Sequence, residues 1–407
     1  MRKSKIFVFA TFIISCFALI LLTETIKTTY DPSVVTSNDQ AFSRPLKSLN
    51  KNQKSNFIKG KLLFHGIKND TRSLESKGIG PFYNALSCGD CHQNDGTADP
   101  DSSPSLVIKF QNNNHGDSTY GYQLQTKSLN GFTSEGSNLN SLNYGAIDKT
   151  TKTYTRIAPR LIGMGLIEAI PDSFFYRYED TNDANKDGIS GRIAYIKNKN
   201  TNKKEIARFG WKATQIDVKE QTMLASSEDL GLISSKYKFA ICPKKVSCIS
   251  KPEISDDQIN QIVTYTRSLA PPRKSKSESQ GKAIFNNLGC SSCHIETIKL
   301  EKSDIVIKDD TEIHPYSDFL LHNMGAQLAD STSIQDRNAD EFRTAPLWGL
   351  GKIEKVNKSL NLLHDGRAKT IDEAIKFHGG EASKTKDAYI KLSSREKALI
   401  LKYLNSL

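Results

Sequence analysis

Two short stretches combine cysteine and histidine at a spacing that can hold haem. Cys88-Gly89-Asp90-Cys91-His92 and Cys290-Ser291-Ser292-Cys293-His294 each place two thiols three residues apart, directly before an imidazole. Residues three apart face the same side of a helical turn, so both thiols can add to the vinyl groups of one haem while the histidine binds its iron. Zinc is the alternative, but it needs four ligands, and neither stretch has a second Cys or His pair at finger spacing. The sequence therefore predicts two covalently bound c-type haems.

A haem iron that only carries electrons needs a second axial ligand, whereas a reactive iron keeps an open face. Met324 is the predicted axial ligand of the second haem, because it lies in a polar His-Asn-Met-Gly run after His294. His322 is the competing ligand, and core packing is the alternative interpretation of Met324. A Met/His iron has a raised potential that suits electron entry, which would leave the first haem as the reactive one.

An acidic residue within an apolar run is the predicted proton-transfer group. Glu168 lies in the sequence Gly-Leu-Ile-Glu-Ala-Ile-Pro, where burial would raise the pKa of its carboxyl. Such a group can move the proton of hydrogen peroxide from one oxygen to the other. A structural carboxylate bonded to backbone amides is an equally good interpretation of Glu168.

A candidate calcium loop begins at Asp183. Asp183, Asn185 and Asp187 place oxygen atoms at alternate positions before Gly188, as in the first half of an EF-hand loop. The loop lacks the downstream glutamate at the expected place, and Asp180 could help to complete the shell. A solvated turn rich in Asp and Asn is the alternative.

The N-terminus resembles an export signal. Arg2, Lys3 and Lys5 precede an uncharged run over residues 6–22, and a basic segment before an apolar core is typical of export. The run is intermediate in length between a signal-peptide core and a spanning helix, and Ile13-Ile14-Ser15-Cys16 resembles a lipoprotein cleavage box. We expect a periplasmic or extracytoplasmic protein, with cleaved, lipidated and membrane-anchored forms all left open.

The remaining cysteines fit an oxidising compartment. Four of the seven belong to the haem motifs and Cys16 to the N-terminal run, which leaves Cys242 and Cys248. We predict a disulfide between these two, with free buried thiols as the alternative.

The formal net charge of +11 is spread along the chain. Scattered lysines are typical of a solvated basic surface, and we do not expect nucleic acid as a partner. The expected partners are hydrogen peroxide or another small substrate and a small redox donor protein such as a periplasmic cytochrome. Docking of an acidic redox protein is a second use for the basic surface.

The order helix, haem motif, helix is present twice. Gly60-Lys61-Leu62-Leu63-Phe64 precedes the first motif and Gly281-Lys282-Ala283-Ile284-Phe285 the second, each in an amphipathic helix whose glycine permits close helix approach. Ser255-Asp256-Asp257-Gln258 and Ser393-Ser394-Arg395-Glu396 are capping boxes that open the last helix of each repeat. These are the parts of a small cytochrome c fold. The sequence thus predicts a mainly α protein with two cytochrome c-like haem domains.

Composition divides the chain into five predicted segments. They are an export signal or membrane anchor at residues 1–22, a flexible polar segment at 23–54, a first cytochrome c-like domain at 55–270, a linker at 271–279 and a second such domain at 280–407. The first domain is the longer one, and we expect its excess to form a large irregular insertion.

Further motifs carry a resemblance to a known family. In chain order they are GIGP at residues 78–81, GLIEAIP at 165–171, DGISGR at 187–192, RFGWKA at 208–213, PYSD at 315–318, LHNMG at 321–325, RTAPLWG at 343–349, LHDGRA at 363–368 and HGGEA at 378–382. With the haem motifs, they make residues 55–407 similar to the bacterial di-haem oxidoreductases, a group of suspected peroxidases that includes proteins named thiol oxidoreductases. The C-terminal third is also similar, more loosely, to di-haem cytochrome c peroxidases.

The resemblance implies two haem domains, electron transfer and a reaction with hydrogen peroxide. It does not supply a substrate, and Cys242 and Cys248 give no support to a thiol oxidoreductase, because they form no redox Cys-x-x-Cys. We therefore expect an exported di-haem c-type cytochrome that transfers electrons and reduces hydrogen peroxide. Pure electron transfer is one alternative, and a haem oxidase or oxygenase acting on an organic substrate is the other.

Overall fold

The computed structural model describes residues 29–36, 39–66, 79–99, 101, 106–113, 115–198, 202–248, 251–275, 278–305, 308 and 310–407. The predicted export signal at residues 1–22, including Cys16, lies outside the described residues. None of the helices within the described ranges is both long and apolar enough to cross a membrane.

The described residues form eleven α-helices and ten short strands. The helices are α1 (Lys51–His65), α2 (Cys88–Cys91), α3 (Met164–Glu168), α4 (Asp172–Tyr178), α5 (Val218–Leu230), α6 (Asp256–Arg267), α7 (Ser279–Asn287), α8 (Ile353–Asn357), α9 (Ile371–Phe377), α10 (Ser383–Ile390) and α11 (Ser394–Leu404). The strands are β1 (Phe82–Tyr83), β2 (Leu106–Gln111), β3 (Lys127–Ser128), β4 (Lys152–Ile157), β5 (Tyr195–Lys197), β6 (Lys204–Ile206), β7 (Ile298–Lys299), β8 (Glu312–Ile313), β9 (Leu321–Asn323) and β10 (Glu341–Arg343).

The strands pair into five separate antiparallel two-stranded sheets, namely β1 with β3, β2 with β4, β5 with β6, β7 with β8, and β9 with β10. The prediction of a mainly α fold built from cytochrome c-like domains is wrong, because 31% of the chain is helical and 15% is strand. The long segments between the helices are rich in Asn, Ser and Gly, which favour turns. The backbone hydrogen bonds of these segments are made in turns and in the two-stranded sheets.

Two crossed helix pairs are related as the internal repeat predicts. In the first half α1 packs on α6, and in the second half α7 packs on α11. A Cβ atom on Gly60 would lie 2.0 Å from the carbonyl oxygen of Gln261, and one on Gly281 would lie 2.3 Å from that of Leu399. Only glycine permits so close an approach of two helix backbones.

Both predicted capping boxes are confirmed. Ser255 and Gln258 bond reciprocally at the start of α6, and Ser393 and Glu396 do so at the start of α11. The predicted Cys242–Cys248 disulfide is also confirmed.

One hydrophobic core joins the two halves of the chain. Its buried side chains include Phe42 and Leu46 from the N-terminal segment, Tyr265 from α6, and Phe285 and Tyr403 from the second helix pair. Because these residues belong to one contiguous cluster, the halves are packed together rather than separated by an open cleft.

Buried ion pairs also hold the two halves together. Arg156 at the end of β4 donates two hydrogen bonds, of 2.7 and 2.5 Å, to the carboxylate of Asp330. The ammonium of Lys212 lies 3.3 Å from the same carboxylate and donates to three main-chain carbonyls between residues 338 and 341. All three side chains are at most 10% exposed, so loss of one partner would leave a buried charge without its counterion.

Candidate functional site

The first Cys-x-x-Cys-His motif lies on a short capped helix. The carboxylate of Asp90 in α2 accepts the backbone N–H groups of Leu86 and Ser87, at 2.9 and 3.2 Å. An acidic group in the first turn stabilises a helix through its dipole. Neither Cys88 nor Cys91 forms a disulfide, and burial raises the pKa of both thiols, that of Cys88 to about 12.

The second motif forms one turn of 3₁₀-helix followed by a fixed histidine. Nδ1 of His294 donates to the carbonyl oxygen of Tyr316 at 2.8 Å. This bond places the proton on Nδ1 and leaves the lone pair of Nε2 for a metal, which is the usual arrangement of a ligating histidine. Burial lowers the pKa of His294 to about 4, so the imidazole is neutral, as a metal ligand must be.

His92 occupies the corresponding place in the first half. Its ring lies 5.9 Å from that of Phe64, and the ring of His294 lies 6.4 Å from that of Phe285. Burial lowers the pKa of His92 to about 4, and its Nδ1 atom is buried without a hydrogen-bond partner among the described residues. Each half of the chain thus places a buried histidine directly after two cysteines that form no disulfide, which are the residues that would hold a covalently bound haem.

His322, the competing ligand, is bonded on both sides. Its Nε2 atom lies 2.9 Å from Asp318 and its Nδ1 atom 2.7 Å from Glu381. Burial opposes a charge on His322, but the two carboxylates outweigh it and hold the pKa well above the usual value. Cys293, Asp318 and His322 bring potential metal-ligand atoms within 4.8 Å of one another. A protonated imidazole has no lone pair, however, so this arrangement disfavours His322 as a metal ligand.

Met324 follows strand β9 directly. Its backbone N–H donates to the carbonyl oxygen of Asp340 at 2.8 Å, and its side chain is half-buried. A Cβ atom on Gly379 would lie 2.9 Å from the Met324 carbonyl oxygen, so the segment after α9 packs against this residue. Ligation of iron by Met324 stays a prediction.

A buried carboxyl that the sequence did not single out lies in the first half. Glu135 is fully buried, and its Oε2 atom accepts the backbone N–H of Gln125 at 2.7 Å. Its Oε1 atom is buried with no hydrogen-bond partner in the described part of the chain. Burial raises the pKa of Glu135 to about 8. A carboxyl that titrates near neutral pH with a free oxygen can exchange protons with a small substrate.

A chain of buried amides links Glu135 to the first motif. The side chain of Gln125 is itself fully buried and accepts a hydrogen bond from the Asn84 amide at 3.2 Å. Asn84 lies four residues before Cys88, and its backbone N–H donates to the carbonyl oxygen of Asp229. The charge of Asp229 also raises the pKa of the Cys88 thiol, so this network lies beside the motif.

Sequence inspection missed Glu135 for a physical reason. It lies in the polar run Phe-Thr-Ser-Glu-Gly-Ser, which has the composition of an exposed loop. Its carboxylate accepts the backbone N–H of Gln125, ten residues earlier, and its backbone carbonyl accepts that of Asn143. No local pattern encodes contacts of this kind.

The structure places Glu168 in an ion pair. Its Oε2 atom accepts Nε of Arg267 at 2.5 Å, and its Oε1 atom accepts the N–H of Val218 at the start of α5. Burial raises the pKa of Glu168, and Arg267 opposes that rise. The pair lines a polar cleft of about 550 Å³. Both oxygens are thus bonded within the fold, and proton transfer by Glu168 stays a prediction.

The candidate calcium loop is an exposed turn with internal hydrogen bonds. Asp183 accepts the N–H of Gly188 at 3.1 Å, and Asp187 accepts that of Ile189 at 2.8 Å. The Asn185 side chain accepts the N–H of Asp187 and donates to its carboxylate. These bonds are those of a turn rich in Asp and Asn, and calcium binding stays a prediction.

A chelator tests the calcium prediction. If calcium binds, treatment with a chelator should lower the melting temperature of the protein, and Asp187→Ala should abolish that response because one charged ligand is lost. The measurement is thermal unfolding with and without the chelator. A wild-type protein that does not respond to the chelator rules out the site.

Asp95, three residues after His92, is fully buried and heavily bonded. The Tyr265 hydroxyl lies 2.8 Å from both of its carboxylate oxygens and donates one shared proton to them, Ser43 donates at 2.5 Å, and Nε2 of His65 lies 3.2 Å away. The network fixes the chain just beyond the first motif against α6.

Tyr265→Phe should lower the free energy of unfolding by about 1–3 kcal/mol, because the buried Asp95 carboxylate would lose a donor that water cannot replace. Denaturant unfolding measures the effect. Tyr389→Phe is the control, since the hydroxyl of Tyr389 donates to Asp372, which is partly exposed. An equal loss in the two variants would contradict this account.

Comparison with known proteins gives one family match. Residues 126–407 match the model of a family described as "Di-haem oxidoreductase, putative peroxidase". This region contains the second Cys-x-x-Cys-His motif and Glu135, and the first motif precedes it. No curated protein matches the chain. Among solved structures, hydrazine synthase of Kuenenia stuttgartiensis pressurised with 20 bar xenon aligns at a TM-score of 0.33 and 13% identity, covering 95% of this chain and 98% of the other.

Proposed function

Because this chain belongs to the di-haem oxidoreductase family, we propose that it carries two covalent c-type haems and reduces hydrogen peroxide. Each haem would be bound by the two cysteines of one motif and by its histidine. The protein would act outside the cytoplasm and take its electrons from a small redox donor protein. The observation that carries the peroxide reaction is the buried, unpartnered carboxyl oxygen of Glu135, which Gln125 and Asn84 link to the chain four residues before the first motif.

The residues of the two motifs support covalent attachment. Cys88 and Cys91 are one helical turn apart and neither forms a disulfide, so both could add to the vinyl groups of one haem. His294 offers a lone pair on Nε2, because its Nδ1 is bonded to the chain. Haem bound at these places supplies the electrons for the overall reaction H₂O₂ + 2 H⁺ + 2 e⁻ → 2 H₂O.

Glu135 would handle the protons of this reaction. In its ionised form the carboxylate accepts the proton from one peroxide oxygen, and it then returns that proton to the other oxygen, which departs as water. A base is most effective when its pKa is near the working pH, and burial gives Glu135 a pKa of about 8. The hydrogen bond from the Gln125 backbone holds Oε2, so that Oε1 is the atom that exchanges the proton.

The surroundings of Glu135 would keep bulk water away from the reaction. Phe82 is fully buried and contacts Phe132 and Tyr144 edge-on, with ring centroids 5.4 and 6.2 Å apart. The charge of Glu135 contributes to a raised pKa of Tyr144, so this aromatic cluster lies near the carboxyl. Exclusion of water strengthens the electrostatic effect of each remaining polar group.

Stopped-flow mixing of the reduced holoprotein with hydrogen peroxide tests the proposal. We expect haem oxidation to be much faster than that of free haem in the same buffer. Equal rates would overturn the peroxidase proposal. If in addition neither reduced haem binds carbon monoxide, both irons are closed and the protein is an electron carrier. Formation of an oxidised organic product without an electron donor would instead favour an oxidase or oxygenase.

A further inference from the structure

We propose that His378 is the second axial ligand of the haem iron bound by His294, in the place that sequence reasoning assigned to Met324. The inference rests on the haem attachment in the proposed function, but it does not depend on peroxide reduction. It follows from the hydrogen bonding of His378, from its position relative to the second motif, and from the hydrogen bonds that occupy His322.

The first argument is the hydrogen bonding of the histidines. All eight lie in the described ranges, and two of them have Nδ1 bonded to a main-chain carbonyl oxygen. One is His294, and the other is His378, whose Nδ1 lies 2.7 Å from the carbonyl oxygen of Ala374. Nε2 of His378 has no hydrogen-bond partner among the described residues. A ligating histidine has this same arrangement, because the bond to Nδ1 fixes the tautomer and directs the Nε2 lone pair to the metal.

The second argument is position, which Glu381 determines. Its carboxylate accepts hydrogen bonds from Nδ1 of His322 at 2.7 Å and from the backbone N–H of Asn323 at 2.8 Å. The same His322 nitrogen lies 3.7 Å from the sulfur of Cys293. Because Glu381 is three residues after His378, these bonds hold the end of α9 beside the attachment point of the second haem.

Helix α10 makes a further connection to the second motif. The hydroxyl of Thr385 donates to the carbonyl oxygen of Leu288 at 2.9 Å, two residues before Cys290. The segment that begins at His378 is thus bonded both to the chain before the motif and to the residues around Cys293. Because the segment is bonded at both places, His378 is held close to the second motif.

The third argument excludes the competing histidine. Both nitrogens of His322 are bonded to carboxylates, so neither directs a lone pair to the iron.

The ligand at this iron decides which haem can react. With imidazole on both faces, the second iron would be closed and would only transfer electrons. The reactive position would then fall to the iron at His92, in the motif that begins four residues after Asn84. Electron transfer at the second haem and peroxide reduction at the first would need no change of fold during the reaction.

Spectroscopy of the holoprotein tests the ligand. Near-infrared magnetic circular dichroism of the oxidised protein should show a low-spin haem with two imidazole ligands and no methionine-to-iron band. His378→Ala should convert that haem to high spin and allow one more carbon monoxide to bind after reduction. Added imidazole should restore the low-spin signal. His378→Met should create a methionine-to-iron band and raise one haem potential.

Met324→Leu is the matched control and should leave all these spectra unchanged. A methionine-to-iron band in the wild type that Met324→Leu removes would overturn the inference, as would a His378→Ala spectrum identical to that of the wild type. His378→Met keeps a ligand and so remains informative if the alanine variant does not fold. Loss of haem colour into acid acetone would instead contradict the covalent attachment in the proposed function.

Discussion

Glu135→Gln is expected to slow the reaction of the reduced protein with hydrogen peroxide by about 10²–10⁴-fold, the usual contribution of a general base. Glutamine keeps the size and most hydrogen bonds of the carboxyl but cannot accept the proton. In the wild type the rate should rise with pH through about 8, because the buried carboxyl must lose its own proton before it can act as a base. The variant should lose this pH dependence. Stopped-flow traces across this pH range measure both effects.

The control for this experiment is Glu253→Gln. The carboxylate of Glu253 also accepts a backbone N–H, that of Ile233, but it is exposed and lies outside the Glu135 network. We expect its rate and pH profile to match those of the wild type. A Glu135→Gln variant with the wild-type rate and pH profile would exclude Glu135 as the base. Glu168→Gln in the same series tests the group that sequence reasoning proposed.

The same carboxyl links stability to pH. Its pKa is about 8 in the folded protein and ~4.3 in an unfolded chain, so the stability that its protonated form contributes is fully present below the lower value. That contribution is lost as pH rises towards 8, because the unfolded state ionises first. Glu135→Gln should therefore flatten the dependence of the unfolding free energy on pH between these values.

Gly281→Val is expected to lower the free energy of unfolding by about 3 kcal/mol or more. A Cβ atom at this position would lie 2.3 Å from the carbonyl oxygen of Leu399 and 2.6 Å from Cβ of Tyr403. Because both neighbours belong to helix α11, α7 and α11 would have to move apart. Gly60→Val should act in the same way on α1 and α6. Denaturant unfolding of the holoprotein measures the loss.

Ala283→Val is the control for the glycine variants. Ala283 lies on the exposed face of the same helix, so a branched side chain there costs only its weaker helix propensity, about 0.5 kcal/mol. If Ala283→Val destabilised the protein as much as Gly281→Val, helix propensity rather than the helix crossing would explain the effect. The proposed close contact would then be unimportant.

Local sequence patterns predicted the paired helices well. The capping box at Ser393 marks the start of a helix because its bonds involve residues only three apart. A repeated small residue in an amphipathic helix indicates close packing, which predicted that Gly60 and Gly281 lie at helix crossings. Both glycines do lie there. The six-residue separation of Cys242 and Cys248 made their disulfide predictable in the same way.

Long-range contacts explain what the sequence did not reveal. The two-stranded sheets join distant segments such as β2 and β4, whose paired residues lie about 40 to 50 positions apart, and no local period signals that pairing. Glu135 was missed because its contacts with Gln125 and Asn143 join separate parts of a polar segment. His378 could not be distinguished from a helix-capping histidine, since its bond to Ala374 is visible only in three dimensions.

The contiguous apolar core has a consequence for the speed of electron flow. Side chains from both halves, such as Leu46, Tyr265 and Phe285, interlock in it, and buried pairs such as Arg156 with Asp330 cross between the halves. Hinge motion would have to break these contacts. If the two haems of the proposed function are bound, the distance between them would be fixed by the fold, and electron transfer between them would not require a domain motion.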